Sequence, residues 1–151
     1  MDDQDTISLR CSALVLRRGA VLLCRRSEDW VLPGGTPRHG ESAGACVRRE
    51  VREETGLAVH PVSVAFVLDA TNAAAGHHLM EIVLSAEDES RGVAEPVCRE
   101  AGLHPEFVPL DALAGLGIRP PIAGHIRAFH AGGGRRTAAY LGNVWRPAPR
   151  G

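Results

Sequence analysis

The chain has 151 residues, 44% hydrophobic and 23% charged, the size and balance of one globular domain that buries its own core without metal or disulfide staples. Its 17 basic and 18 acidic side chains leave a formal net charge of −1, which argues against the cationic field that draws proteins to nucleic acid or to membrane surfaces. The opening MDDQDTISLR lacks the basic-then-apolar pattern of a secretory signal, no apolar run approaches the ~18 residues of a membrane span, and the four cysteines stand singly, so the expectation is a cytoplasmic protein with reduced thiols packed as small apolar residues.

In chain order, Cys11 to Leu16 and Ala20 to Cys24 are apolar runs around Arg17-Arg18-Gly19, the pattern of a β-hairpin. Trp30-Val31-Leu32 is a short extended piece stopped by Pro33-Gly34-Gly35, and a loop to Gly40 leads into a helix. That helix is expected to begin near Glu41 or Ser42, either of which accepts from free backbone N–H groups, and to end at Gly56. Val62 to Leu68 and Leu79 to Leu84 read as central strands, Ala86 to His104 as a polar loop, and Phe107 to Leu110 as a shorter strand. Ile122, Ile126 and Phe129 recur at helical spacing until Gly132-Gly133-Gly134. Tyr140, Leu141 and Trp145 are apolar anchors beyond it, and from Ala148 onward poor order is expected. No internal repeat is visible. Residues 1–151 thus read as a single domain, a mixed α/β sandwich with its core over about 8–131 and a C-terminal extension over 132–151.

The first helix carries the chemistry. Glu50, Glu53 and Glu54 are spaced i, i+3 and i+4, which places three carboxylates within roughly a quarter turn. Acidic runs are ordinarily solvated faces, lying opposite the apolar stripe. Here Ala43, Cys46, Val47 and Val51 project to the same side as Glu50 and Glu54, while Arg48 and Arg52 project away. Like charges packed this closely raise one another's pKa and call for a positive partner. Oxygen-only ligands favour magnesium, manganese or calcium over zinc, and magnesium is at home among few carboxylates and substrate phosphates. Gly34 and Gly35, just before the helix, let backbone approach a ligand closely.

The stretch LPGGTPRHGESAGACVRREVREETGL resembles the signature of the Nudix hydrolase family, GX5EX7REUXEEXGU with U a bulky aliphatic residue, and fills every fixed position from Gly35 through Glu41, Arg49, Glu50, Val51, Glu53, Glu54 and Gly56 to Leu57. The preceding hairpin and the closing FVPLDAL segment resemble the family's frame too, so the likeness spans about residues 8 to 131. It implies an α/β/α sandwich on a mixed β-sheet. It also implies a Mg2+-dependent pyrophosphohydrolase, with Mn2+ as a substitute, that cleaves a small nucleoside diphosphate linked to another group X. By the same resemblance, Glu53 and Glu54 are the metal-binding pair, a carbonyl of Gly34 or Gly35 is a further ligand, and Glu50 is a third ligand or the base. Arg49 orients a box glutamate, its i, i+4 relation to Glu53 suiting a salt bridge. Glu41 closes the loop and caps the helix. Among Glu95, Glu100 and Glu106, Glu100 is the favoured additional catalytic carboxylate, because EPVCREAGLHPEF resembles the corresponding loop of the branch that cleaves 8-oxo-dGTP.

Arg25 and Arg26 are candidates to clamp phosphate, with one of the two pointing inward, and Trp30 is a candidate to stack on a nucleobase. The seven histidines are too scattered for a shared metal site. Secondary markers of ADP-ribose, dinucleoside polyphosphate and coenzyme A hydrolases are not evident, so nucleoside triphosphates, oxidised nucleotides and nucleotide sugars stay open. The alternatives are a catalytically weak nucleotide-sensing module and a diphosphate isomerase of the same fold, which the intact box disfavours. Residues 135–146 are expected to cover the site or to embrace a second copy in a homodimer.

Overall fold

Among the described residues the chain folds into eight strands and two α-helices: β1 (Ser8–Arg17), β2 (Ala20–Arg25), β3 (Trp30–Val31), β4 (Gly34–Gly35), α1 (Ala43–Thr55), β5 (Val59–Asn72), β6 (His77–Asp88), β7 (His104–Pro109), α2 (Ala123–Ala131) and β8 (Ala139–Asn143). They are taken from a computed structural model that describes residues 6–133 and 139–147. The first five residues, Gly134 of the glycine run, positions 135–138 of the extension and the tail from Ala148 lie outside the described residues.

Arg18 (φ 48°) and Gly19 (φ 76°) form the two-residue turn of the predicted β1–β2 hairpin, where right-handed strand twist favours positive φ at both positions. β1 is the centre of a mixed sheet. It runs parallel to β6 and antiparallel to β4; β5 lies antiparallel beside β6, and β8 parallel beside β5. β2 carries β3 on one side and β7 on the other, both antiparallel.

Strand alternation divides the core in two. Cys11, Ala13 and Val15 of β1 pack with Cys46, Val47 and Val51 of α1, whereas Leu14 joins Val83, Ile126 and Phe129 on the α2 side. The sheet is therefore covered on both faces, giving the expected α/β/α sandwich. Arg10 and Ser12 alternate with Leu14 and share its face.

The first helix has the predicted limits. Ser42 Oγ accepts from the Ala45 N–H at 3.1 Å, and Gly56 (φ 77°) donates to Arg52 O at 3.0 Å. Glu41 does not cap it. β5 and β6 run well beyond the predicted apolar runs, into a ribbon closed by a 3₁₀ turn at Ala73–Ala75. Polar side chains sustain this ribbon, with His78 Nε2 lying 3.3 Å from Asp69 Oδ1 and the Tyr140 hydroxyl donating to Asp69. Tyr140 is accordingly not a buried anchor; it is 68% exposed, and Val144 is the buried residue of this segment. β6 continues to Asp88, where the expected loop had begun at Ala86. β7 starts at His104 rather than Phe107, because its whole length pairs with β2, and Leu110 opens a 3₁₀ helix instead of ending a strand. Among the described residues, no helix is long and apolar enough to cross a membrane.

Candidate active site

The glycine pair lies flush between two surfaces. A Cβ on Gly34 would collide with the Cys11 carbonyl oxygen and stand 2.6 Å from Ser12 Cα; one on Gly35 would stand 2.6 Å from the Glu50 carboxyl carbon. Only glycine lets β4 pair with β1 while Glu50 packs against its outer side.

Glu54 is 3% exposed, and its Oε2 accepts from the Gly34 N–H at 3.0 Å. Burial pushes its carboxyl up to about 8; the Gly34 bond and the Arg10 charge oppose the rise, while Glu50 and Glu100 add to it. This is a buried acid short of positive charge.

Arg49 is the hub of the neighbouring acids. Its Nε and Nη2 donate to Glu41 at 2.8 and 2.9 Å, and its Nη1 donates to Glu50 at 2.6 Å and to Glu53 at 3.3 Å. The fork on Glu41, helped by the Arg38 N–H at 3.0 Å, draws that carboxyl down to about 2. Glu41 thus closes the loop, as expected, although the capping falls to Ser42. The predicted Arg49–Glu53 contact exists, and it is the longest of the three.

Glu50, Glu53 and Glu54 do not converge on one point. Glu50 rests on Gly35, Glu54 turns inward to Gly34, and Glu53, half-exposed, reaches outward between Arg49 and Arg38 (3.9 Å). Among the described residues no three His, Cys, Asp or Glu side chains are arranged as a ready metal cage. The quarter-turn spacing holds for the backbone, but only Glu50 and Glu53 meet at their tips, bridged by Arg49 Nη1, while the Gly34 N–H holds Glu54 inward.

A cleft of about 740 Å³ opens beside this cluster, lined among others by Gly34, Glu50, Glu54, Arg10, Arg25, Arg26 and Glu100. Both Arg25, the last residue of β2, and Arg26 line it, not one, because strand alternation ends at Arg25; Asp29 holds the Arg26 guanidinium at 2.5 and 2.6 Å. Trp30 does not line this cleft. Its ring packs against the core on the α2 side, its backbone N–H bonds to Gly117 O at 2.9 Å, and Val31, on the opposite side of the strand, faces the cleft instead. Glu100 reaches the cleft from the turn before β7; Glu95 pairs with Arg17 at 3.6 Å, and Glu106 is an exposed residue of β7 outside the cleft.

Two residues escaped the sequence reading. Arg10 donates to Leu32 O at 2.6 Å and lines the cleft beside Glu54. Glu81, in β6, is 1% exposed, accepts from Ser12 Oγ at 2.6 Å and lies 3.8 Å from Arg10 Nε. The available signal was a single acid inside the apolar run LMEIVL. Cys11, Cys24 and Cys46 are buried as expected, and desolvation lifts the Cys24 and Cys46 thiols to about 12.

The NUDIX domain family model matches residues 8–129. The chain belongs to the Nudix family. It is similar to the MutT NUDIX hydrolase of Burkholderia pseudomallei, with 30% identity over 71% of this chain and 86% of that one, at a TM-score of 0.62. The MutT protein of Methanosarcina mazei Go1 is 25% identical over 84% of this chain and 95% of its own, at 0.69. An ADP-ribose pyrophosphatase of Streptococcus suis, 21% identical over 89% and 99%, superposes at 0.70 and speaks for the fold. This Nudix protein is thus a hydrolase of the pyrophosphatase class. Nudix hydrolases generally use divalent metals, and the donor set fits a hard cation: a buried acid held up at about 8 beside a second carboxylate, on the wall of the cleft that Gly34 also lines.

Proposed function

We propose that this Nudix hydrolase is a cytoplasmic Mg2+-dependent pyrophosphohydrolase that cleaves a small nucleoside diphosphate derivative to a nucleoside monophosphate and phosphorylated X, or pyrophosphate when X is phosphate. The observation carrying this reading is the shared cleft: the buried Glu54 and its neighbour Glu50 line the same wall as Gly34, and Arg25 and Arg26 line the same space. Acids for a cation and guanidinium groups for phosphate oxygens belong together only where both bind at once.

In this reading Glu54, Glu50 and Glu53 hold the metal with a carbonyl of Gly34 or Gly35. Glu53 joins by a rotamer change away from Arg38, which its half-exposed position permits. When bound, Mg2+ neutralises phosphate charge and lowers the pKa of water. Arg49 fixes Glu50 against Gly35 while keeping Glu41 and the loop closed. Arg25 and Arg26 clamp the diphosphate, the latter pre-oriented by Asp29. Glu100, which lines the cleft and has no salt-bridge partner among the described residues, takes the proton from the attacking water.

The test is product analysis with Mg2+ across nucleoside triphosphates, oxidised nucleotides and nucleotide sugars, for wild type, Glu53→Gln and Glu100→Gln. Cleavage of at least one class at a phosphoanhydride, lost in both variants, is the expected result. Full activity in Glu53→Gln would show the metal assignment to be wrong, and full activity in Glu100→Gln would remove Glu100 as base. Tight binding without cleavage would favour a nucleotide sensor.

A further inference from the structure

Glu81 has no part in the chemistry above, yet its carboxylate is 1% exposed and its Oε1 has no hydrogen-bond partner among the described residues. The other oxygen accepts from Ser12. Arg10 does not satisfy Oε1: its Nε stands 3.8 Å away, beyond hydrogen-bond range, and its Nη2 is engaged by Leu32 O. A buried acceptor left unpaired is costly, and such atoms commonly mark a place where something else binds.

Glu81 lines a second cavity, of about 630 Å³, on the α2 face of the sheet. Arg10, Arg26 and Val31 border both this cavity and the catalytic cleft, so the two adjoin at these side chains. Its chemistry is one-sided. Arg10, Arg26, Arg119 and Arg146 line it with Glu81 as the lone acid, and half-buried Trp145 beside Pro120 and Pro121 supplies a flat apolar wall. Arg10 and Arg26 on the border with the cleft, a wall for a ring and one buried acceptor describe a nucleoside site whose base must present a donor.

We propose that Glu81 is a specificity-determining residue, its free oxygen accepting a hydrogen bond from the exocyclic amine of a nucleobase seated against Trp145, so that the enzyme selects amino-bearing bases. This rests on the cleft taking a nucleoside diphosphate derivative. A site built around one polar contact discriminates strongly against a ligand lacking it, because the buried group is then left unpaired.

The experiment compares adenosine with purine riboside triphosphate, and guanosine with inosine triphosphate, each pair differing by one amine. Wild type is expected to favour the amine-bearing member by roughly tenfold to a hundredfold in kcat/KM. Glu81→Leu should erase that ratio, read within each pair of compounds so that any shared effect on turnover cancels; Glu81→Gln, which keeps one carbonyl acceptor and the side-chain shape, should reduce it by at least about threefold. Binding of the four corresponding nucleoside monophosphates, read by tryptophan fluorescence on wild type and Glu81→Gln, gives the same comparison without turnover and without dependence on the leucine variant folding. An equal loss on all four compounds, or a wild-type ratio of one, overturns the assignment. If no triphosphate is cleaved but the monophosphates show the amine dependence, Glu81 stands and the proposed substrate class falls.

Discussion

Glu54→Gln should stabilise the metal-free protein and at the same time abolish its response to magnesium. The Glu54 carboxyl sits at about 8 in the folded chain against 4.5 when unperturbed. The sign follows from proton counting: between these values the folded state holds the proton while the unfolded state has lost it, so stability declines as pH rises from about 4.5 to 8 and then levels off. At about 1.4 kcal/mol per pH unit, the penalty is about 3 kcal/mol at pH 7 and on the order of 5 kcal/mol above pH 8. Glutamine keeps the acceptor for the Gly34 N–H and carries no charge to desolvate. In a domain of this size, about 3 kcal/mol corresponds to a Tm gain of ~6–12 °C at pH 7.

The assay is thermal unfolding of wild type and Glu54→Gln in chelator from pH 4.5 to 9, repeated with Mg2+. The two should nearly coincide at pH 4.5 and diverge up to pH 8. Magnesium should raise the wild-type Tm and not that of the variant. At pH 7 wild-type Glu54 is mostly protonated, so cation binding should release close to one proton, measurable by calorimetry in buffers of different ionisation enthalpy. A variant less stable than wild type at pH 8 in chelator, or a difference that does not change with pH, would refute the reasoning.

Glu53→Gln, at a half-exposed position, should lower kcat/KM on the order of 10²–10³-fold while moving Tm by only about a degree; a comparable fall in stability would mean that Glu53 is structural. Gly34→Ala meets backbone that cannot yield and should cost about 3 kcal/mol in denaturant melts, whereas Gly35→Ala meets the Glu50 side chain and should cost about 1 kcal/mol yet displace Glu50 and sharply reduce turnover. Glu41, drawn down to about 2 by Arg49, contributes stability that is present above its unfolded value of 4.5 and lost as pH falls through 2. Arg49→Gln should therefore flatten the acid limb of the stability curve between pH 4.5 and 2, and an unchanged limb would show that the fork on Glu41 does not couple to folding.

What could be read along the chain was whatever neighbours in sequence decide. The first helix announced itself through Ser42, the i, i+4 apolar positions and Gly56, because caps and helical stripes are local devices. The outer halves of β5 and β6 were not legible, since Asp69, His78 and Tyr140 satisfy one another only once the strands are paired. Side-chain direction was partly legible: the face shared by Glu54 and Val51 followed from periodicity, but the separation of Glu54 from its neighbours depends on the Gly34 N–H, twenty residues earlier. Arg10 and Glu81 were out of reach for the same reason on a longer scale, being 71 positions apart and joined only by the parallel β1–β6 ladder. That ladder also accounts for the site's layout. β1 pairs at Ser12 with Gly34, beneath Glu54, and at Arg10 with Glu81, so one strand carries the phosphate-side cleft on its β4 border and the second cavity on its β6 border. Arg10, reaching the Leu32 carbonyl, faces both: it stands 3.8 Å from Glu81, and its charge opposes the rise at Glu54.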